Sequence, residues 1–192
     1  LSSSIWLWYL DEGKGDGRWK VRKVIDIPAK PAKAEDLPPL LKGFGAVPPL
    51  VTATILSLDD RFLYVSCWGT GELLRYDVTD PFNPELVGSV AIGGIVDRAA
   101  HPSRPDRPLN GGPQMVEASR DGRRVYVTNS LYSTWDPQFY PDGVDGWMAK
   151  LNVSNGGMEF EEGFFLEFED GLKPHQVRLE GGDASSDSFC FS

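Results

Sequence analysis

One ten-residue pattern occurs twice in this chain, 62 positions apart. Residues 57–66 (SLDDRFLYVS) and 119–128 (SRDGRRVYVT) both read S-x-D-x-R-x-x-Y-V-[S/T]. The Asp-Asp or Asp-Gly step favours a tight turn, and the Tyr-Val that follows favours a strand with one half-buried face. Each copy therefore predicts a β-hairpin. A repeat of this length predicts one structural unit per copy.

Each hairpin is followed by two further strand-like runs. They cover residues 72–78 and 85–92 after the first copy, and 147–153 and 164–168 after the second. Four strands joined by hairpins form the blade of a β-propeller. A sandwich also has short strands, but it does not require the same hairpin at the same place in each set of four. We therefore predict an all-β fold with four-stranded antiparallel blades at residues 50–92 and 113–168.

The two ends of the chain fit the same scheme. Residues 1–27 read as the last two strands of a preceding blade, and residues 173–192 as a first or closing strand. The Pro-rich segment 28–49 and the insertion 93–112 read as connections, and no segment shows the periodicity of a long helix. About 4–8 blades are needed to close a propeller, so we expect the rest of the ring to lie upstream.

Charge and composition exclude several partners. Nineteen basic against 28 acidic residues give a net charge of −9, which opposes binding to nucleic acid or to anionic lipid. No apolar run reaches the roughly 18–20 residues of a membrane span, and the first ten residues lack the basic start of a signal peptide. We expect a soluble protein. Its compartment, cytoplasm or periplasm, stays undecided.

Five segments match runs typical of one protein family. They are 56–66 (LSLDDRFLYVS), 75–81 (RYDVTDP), 111–115 (GGPQM), 128–141 (TNSLYSTWDPQFYP) and 181–187 (GGDASSD). They follow the family's order and cover nearly the whole chain. On these residues the chain resembles the selenium-binding protein family, whose characterised enzymes are methanethiol oxidases.

The resemblance implies a single seven-bladed propeller domain, of which this chain is the C-terminal two-fifths or so. It also implies that the full-length protein is a copper-dependent oxidase of a small thiol, since soft sulfur suits copper. Methanethiol, oxygen and water would give formaldehyde, hydrogen sulfide and hydrogen peroxide, and the fragment alone would be inactive. Two alternatives stay open: a non-catalytic protein that binds selenium or sulfur, and an interaction scaffold.

Three residues stand at equivalent points of the repeat. Thr52 precedes Ser57 by five positions, Gln114 precedes Ser119 by five, and His175 precedes Glu180 by five. The first strand of a blade is innermost, so these side chains are predicted to line a central channel. Imidazole is a common ligand of copper and zinc, which makes His175 the candidate metal ligand. The resemblance places a histidine at this point too, with the remaining ligands in the missing N-terminal blades. The alternative is a channel histidine that only makes hydrogen bonds.

The other candidate residues carry weaker expectations. His101 lies in the insertion and is predicted to be an exposed loop histidine. Cys67 and Cys190 are predicted to be buried free thiols, with a disulfide between them as the alternative, and Cys67 to be a small residue of the core. No selenium-binding role is assigned to either cysteine. The pair Asp183 and Asp187 is predicted to form a turn. No catalytic residue is assigned, and no sequence motif for nucleotide binding, serine hydrolysis or a zinc protease occurs.

One aromatic cluster admits two interpretations. Residues of the 128–141 segment could form a cage for a substrate or could pack between blades: Tyr132, Trp135, Phe139 and Tyr140. Packing is the favoured interpretation, because large aromatic side chains are most often buried for their area.

Overall fold

The computed structural model describes residues 1–11, 17–154 and 156–177. Within this part the chain is built from strands. Its helical content is one 3-10 turn at Lys42–Phe44 and one four-residue helix, α1 (Asp136–Phe139). Pro137 stands in the first turn of α1, where its missing N–H costs nothing. The helix is too short to show a periodic pattern, so the sequence did not predict it.

The first two strands form a hairpin. β1 (Ser3–Asp11) runs antiparallel to β2 (Arg18–Ile27), with Ser3 opposite Ile27. Side chains alternate between two faces along each strand. One face packs against the rest of the protein through Ile5, Ile25 and Ile27. The other face is exposed and carries Trp6, Trp8, Leu10, Trp19 and Val21.

The Pro-rich segment that follows packs against the protein as a connection without a long strand. It contains only the two-residue pair β3 (Lys30–Pro31) and β4 (Ala46–Val47), which are antiparallel. Three of its side chains are buried against residues of the loops beyond the sheets: Leu37, Leu41 and Val47. The segment therefore covers one end of the strands.

Two four-stranded antiparallel sheets follow, each in simple sequential order. The first sheet contains β5 (Val51–Leu56), β6 (Phe62–Cys67), β7 (Glu72–Asp77) and β8 (Glu85–Ala91). A short hairpin, β9 (Ala100–His101) and β10 (Arg104–Pro108), lies in the insertion between the sheets. The second sheet contains β11 (Val116–Ala118), β12 (Arg124–Thr128), β13 (Trp147–Ser154) and β14 (Gly157–Glu167).

The two copies of the sequence repeat make the same turn. In the first copy, Ser57 Oγ donates to Asp59 Oδ1 at 2.5 Å and accepts the backbone N–H of Phe62 at 2.9 Å. In the second copy, Ser119 Oγ donates to Asp121 Oδ1 at 2.6 Å and accepts the N–H of Arg124 at 3.0 Å. The serine and the aspartate of the motif therefore close the turn between the first and second strands of each sheet.

The hairpin and the two sheets stack as three layers. Alternate side chains of β6 point to opposite sides: Val65 and Cys67 pack towards the β1–β2 hairpin, while Phe62 and Tyr64 pack towards the second sheet. The first strands of the two sheets, β5 and β11, contact each other, and so do the last strands, β8 and β14. The sheets are therefore stacked in the same orientation, with the first strands on one side and the last strands on the other.

The far face of the second sheet carries a fourth apolar cluster. It contains Tyr126, Met148 and Val177, with Phe164 and Phe168 at its edge. Residues 173–177 approach this face but are not a strand. The remainder of the predicted closing strand, together with Cys190, Asp183 and Asp187, lies outside the described residues. The closing strand thus stays a prediction.

Candidate functional site

The three predicted channel residues lie at the same end of the sheets. Thr52 sits at an irregularity near the start of β5, where the pairing with β6 shifts register between Val51 and Ala53. Gln114 lies just before β11, and His175 lies in the segment that follows the second sheet. Each of them therefore stands where a first strand begins or would begin.

Hydrogen bonds join these three segments side by side. Thr52 Oγ1 donates to the carbonyl of Gln114 at 3.0 Å, and the N–H of Gln114 donates to the carbonyl of Thr128 at 2.6 Å. Thr128 Oγ1 in turn donates to the carbonyl of His175 at 2.9 Å. The structure thus brings Thr52, Gln114 and His175 into one row of neighbouring backbone segments.

Two glycines allow the chain to enter this row. Gly111 adopts a left-handed conformation with φ of 71°, which favours glycine. A Cβ on Gly112 would overlap the carbonyl oxygen of Trp68. Gly111 and Gly112 therefore let the backbone pass close to Trp68 on its way to Gln114.

The side chains of the row differ in environment. Gln114 is buried, and its Oε1 has no hydrogen-bond partner among the described residues. The imidazole of His175 is exposed and stacks on Tyr132, with ring centroids 6.4 Å apart and an angle of 29° between planes. Gln114 Oε1 is thus a buried acceptor, whereas the His175 imidazole is open to solvent and is a potential metal ligand.

The described residues do not complete a metal site. In this part of the chain no three side chains among histidine, cysteine, aspartate and glutamate come close enough to hold an ion. His175 supplies one imidazole, whereas structural and catalytic metal centres use three or four protein ligands. A copper ion at this position therefore needs ligands from outside the described residues.

A buried ion pair holds the His175 segment. Asp136, fully buried at the start of α1, accepts hydrogen bonds from Lys173 Nζ at 2.7 Å and from Ser130 Oγ at 2.9 Å. It also accepts the backbone N–H groups of Leu131 and Tyr132. Sequence reasoning missed this pair. The WDPQF run marked the loop as unusual, but nothing in it pointed to a lysine 37 positions further on.

The aromatic cluster divides into a buried half and an exposed half. Phe139 and Tyr140 pack edge-on against Trp68, with centroids 5.5 and 4.9 Å away, and Tyr140 is fully buried. Packing therefore accounts for these two rings, as predicted. Tyr132 and Trp135 are exposed and contact each other at 6.5 Å. The packing interpretation does not account for this second pair.

The prediction for Cys67 is confirmed. The thiol is free and fully buried between the first sheet and the β1–β2 hairpin. Burial, with a smaller contribution from Glu72, raises its pKa to about 12. Since the thiolate is the reactive form, Cys67 is a packing residue.

The prediction for His101 is wrong. It is 4% exposed, because residues 100–108 form the β9–β10 hairpin, which packs it edge-on against Phe165. Its Nδ1 accepts the N–H of Ser103 at 3.2 Å, and its Nε2 lies 3.3 Å from Glu167 Oε1. The hairpin was not predicted because the insertion is rich in proline and arginine. Through His101, the hairpin contacts Glu167 at the end of β14.

Comparisons with known proteins agree with this architecture. The family model described as 56kDa selenium binding protein (SBP56) matches residues 1–190. The chain belongs to this selenium-binding protein family. Within the family, it is 39% identical to the methanethiol oxidase of Xenopus tropicalis and 40% identical to that of Homo sapiens. It is also 39% identical to selenium-binding protein 2 of Mus musculus.

A solved structure shows the same fold. The X-ray structure of a hypothetical selenium-binding protein from Sulfolobus tokodaii matches all of this chain, with a TM-score of 0.88 and 57% sequence identity, and the match covers 40% of that protein. The alignments with the curated relatives cover 97% of this chain and 42% of each relative. The chain thus spans about two-fifths of the length of the relatives it matches.

In the described part of the chain, no helix has the length and the apolar character needed to span a lipid bilayer.

Proposed function

We propose that this chain forms the C-terminal part of a methanethiol oxidase. The observation that carries the proposal is the match along 97% of the chain to proteins named methanethiol oxidase, at 39–40% identity. The reaction would convert methanethiol, oxygen and water into formaldehyde, hydrogen sulfide and hydrogen peroxide. A fragment without the remaining residues would be inactive.

The proposed architecture is a seven-bladed propeller in which the two four-stranded sheets are neighbouring blades. The stacking of first strand on first strand and last strand on last strand supports it, because blades repeat around an axis with their first strands innermost. The β1–β2 hairpin would then be the outer half of a preceding blade. The row of Thr52, Gln114 and His175 would face the central channel.

Copper is the proposed cofactor, and His175 its one ligand from the described residues. A soft metal at this point would supply a centre that binds thiolate sulfur. Because one imidazole does not form a site, the other ligands would come from elsewhere in the full-length protein. The exposure of His175 and its place at the end of the Thr52–Gln114 row support this role.

The test uses the complete gene product that contains these residues. We expect it to purify with copper and to release hydrogen sulfide from methanethiol. His175→Ala is expected to lose both properties. Gln176→Ala, a change at the exposed neighbouring residue, is expected to keep both and serves as the matched control.

Two results would contradict parts of the proposal. A pure, copper-loaded protein that does not turn over methanethiol would overturn the oxidase assignment. Retention of copper and activity by His175→Ala would remove His175 from the site but would leave the reaction standing. Retention of selenium without turnover would favour the non-catalytic binding protein instead.

A further inference from the structure

Two large aromatic side chains are exposed next to the candidate metal ligand. They are Tyr132, 60% exposed, and Trp135, 53% exposed, in the loop that joins β12 to β13. Tyr132 stacks on the imidazole of His175, which is itself exposed. Folding usually buries rings of this size, because their apolar area contributes much of the packing energy. An exposed aromatic pair beside a candidate site is therefore a candidate binding surface.

The loop backbone around the two rings is held in place. The carbonyl of Tyr132 accepts the N–H groups of Trp135 at 2.8 Å and of Asp136 at 2.9 Å. The carboxylate of Asp136 is fully buried and accepts the N–H of Tyr132 in return. Beyond α1, the hydroxyl of Tyr140 donates to the carbonyl of Trp68 at 2.7 Å. The two exposed rings therefore project from a well-anchored loop.

The rings of His175, Tyr132 and Trp135 form a continuous series. The centroid of the Tyr132 ring is 6.4 Å from that of His175, with 29° between the planes. It is 6.5 Å from the centroid of Trp135, which stands edge-on at 69°. A small molecule held beside the imidazole is thus within reach of the Tyr132 ring, and one that extends along the series also contacts Trp135.

These rings suit the chemistry of a small alkyl thiol. Divalent sulfur makes favourable contacts with an aromatic ring at about 5 Å, and an alkyl group gains free energy when an apolar face shields it from water. Neither ring carries a charge, and the buried carboxylate of the loop, Asp136, is already paired with Lys173. The pair therefore favours a thiol with an uncharged substituent over one with a charged substituent.

We propose that Tyr132 and Trp135 bind the sulfur and the alkyl group of the thiol substrate. Tyr132 contacts the sulfur beside His175, and Trp135 contacts the alkyl group. The inference rests on the proposed oxidase function and adds to it the residues that select short, uncharged thiols. Both rings act in substrate binding, and the reaction steps are assigned to neither.

The first experiment measures hydrogen sulfide release by the complete gene product over a range of methanethiol concentrations. Trp135→Ala is expected to raise KM about two- to tenfold, the equivalent of one sulfur–aromatic contact, and to leave kcat within about twofold. Trp135→Phe keeps an aromatic ring and should restore most of the affinity. Leu58→Ala changes an exposed apolar residue in the turn at the opposite end of β5 and should behave like the parent.

The second experiment measures binding without turnover. Dimethyl sulfide has the sulfur and methyl groups of the substrate but no thiol hydrogen, so it serves as a probe that is not oxidised as a thiol. We expect saturation-transfer NMR to show its methyl signal in contact with the parent protein. The signal should be strongly reduced in Trp135→Ala and unchanged in Leu58→Ala.

The outcomes separate this inference from the oxidase assignment. If Trp135→Ala folds and matches the parent in KM and in dimethyl sulfide binding, the inference is overturned while the reaction stands. If the parent does not turn over methanethiol but binds dimethyl sulfide through Trp135, the oxidase assignment fails and the binding surface stands. Should Trp135→Ala not fold, Tyr132→Leu decides, because it keeps an apolar side chain without the ring. An unchanged KM and an unchanged probe signal in that variant would also overturn the inference.

Discussion

The hydroxyl of Thr52 donates a hydrogen bond to the carbonyl of Gln114 at 3.0 Å, and the two residues are 62 positions apart. This separation equals the period of the sequence repeat. Equivalent positions of the two repeats therefore touch each other directly. Neighbouring sheets are joined where their first strands begin, next to the segment that carries His175.

Removing the Thr52 hydroxyl should weaken this junction. Thr52→Val keeps the branched shape but leaves the Gln114 carbonyl without its donor, so the free energy of unfolding should fall by about 1 kcal/mol. Thr54→Val, on the same strand but exposed, should change it by less than about 0.5 kcal/mol. Urea unfolding followed by fluorescence measures both. Equal effects of the two changes would show that the hydrogen bond contributes nothing.

Much of the fold could be predicted because the repeat combines turn chemistry with strand periodicity. The predicted strands at 72–78, 85–92 and 147–153 correspond to β7, β8 and β13. The last strand was predicted too short. β14 begins at Gly157, seven residues before the apolar run at 164–168. The intervening residues, 157–163, are interrupted by glutamates, so their sequence does not indicate a strand. Only the pairing with β13 defines them as part of β14.

The surroundings of His101 and Arg75 could not be predicted, because they depend on contacts between residues distant in sequence. His101 is buried because the β9–β10 hairpin meets Glu167, 66 positions further on in the sequence. Arg75 lies in a motif that reads as an ordinary turn, yet its acceptors are Ser154 and Gly157 on the other sheet. Hydrophobic periodicity indicates which face of a strand is buried. It does not indicate which residues of the neighbouring sheet pack against that face.

Acid should destabilise the two hairpin turns. The pKa values of Asp59 and Asp121 lie below the ordinary range. The main cause is the hydrogen bond that each carboxylate accepts from a serine side chain, Ser57 for Asp59 and Ser119 for Asp121. A carboxyl group whose pKa is lower in the folded state than in the unfolded state makes its full contribution to stability at pH values above the unfolded-state pKa. That contribution is lost as the pH falls through the folded pKa.

The free energy of unfolding should therefore decline from about pH 5 towards pH 2. The double change Ser57→Ala and Ser119→Ala should flatten this decline, because the donors that favour the charged carboxylates are gone. Ser133→Ala, at an exposed serine, should leave the slope unchanged. Urea midpoints measured across this pH range provide the comparison. A slope that is the same in all three proteins would rule out the serine hydroxyls as the cause.

Cys67 should be inert to thiol reagents while the protein is folded. Its pKa is raised to about 12 by burial, so at pH 8 almost no thiolate is present. In the Cys190→Ser variant, we expect a chromogenic disulfide reagent to detect no fast-reacting thiol in native buffer. One thiol per chain should react in denaturant. Native-state reaction at the rate of a free model thiol would contradict the packing role of Cys67.

The ion pair between Lys173 and Asp136 should fix the position of His175. Lys173→Met leaves the buried carboxylate with neutral donors only, which should cost about 2–3 kcal/mol of unfolding free energy. That is less than for a fully buried pair, because Lys173 is partly exposed. Lys33→Met, at an exposed lysine 3.8 Å from Glu35, is the matched control and should change little.

The same change should be visible in the ring of His175. Tyr132 and His175 are stacked, and Asp136 accepts the N–H of Tyr132 while it pairs with Lys173. Loosening the pair separates the two rings, so the NMR signals of the His175 imidazole should move in Lys173→Met and stay in Lys33→Met. If the imidazole signals stay unchanged while stability drops, Lys173 stabilises the fold without positioning the candidate metal ligand.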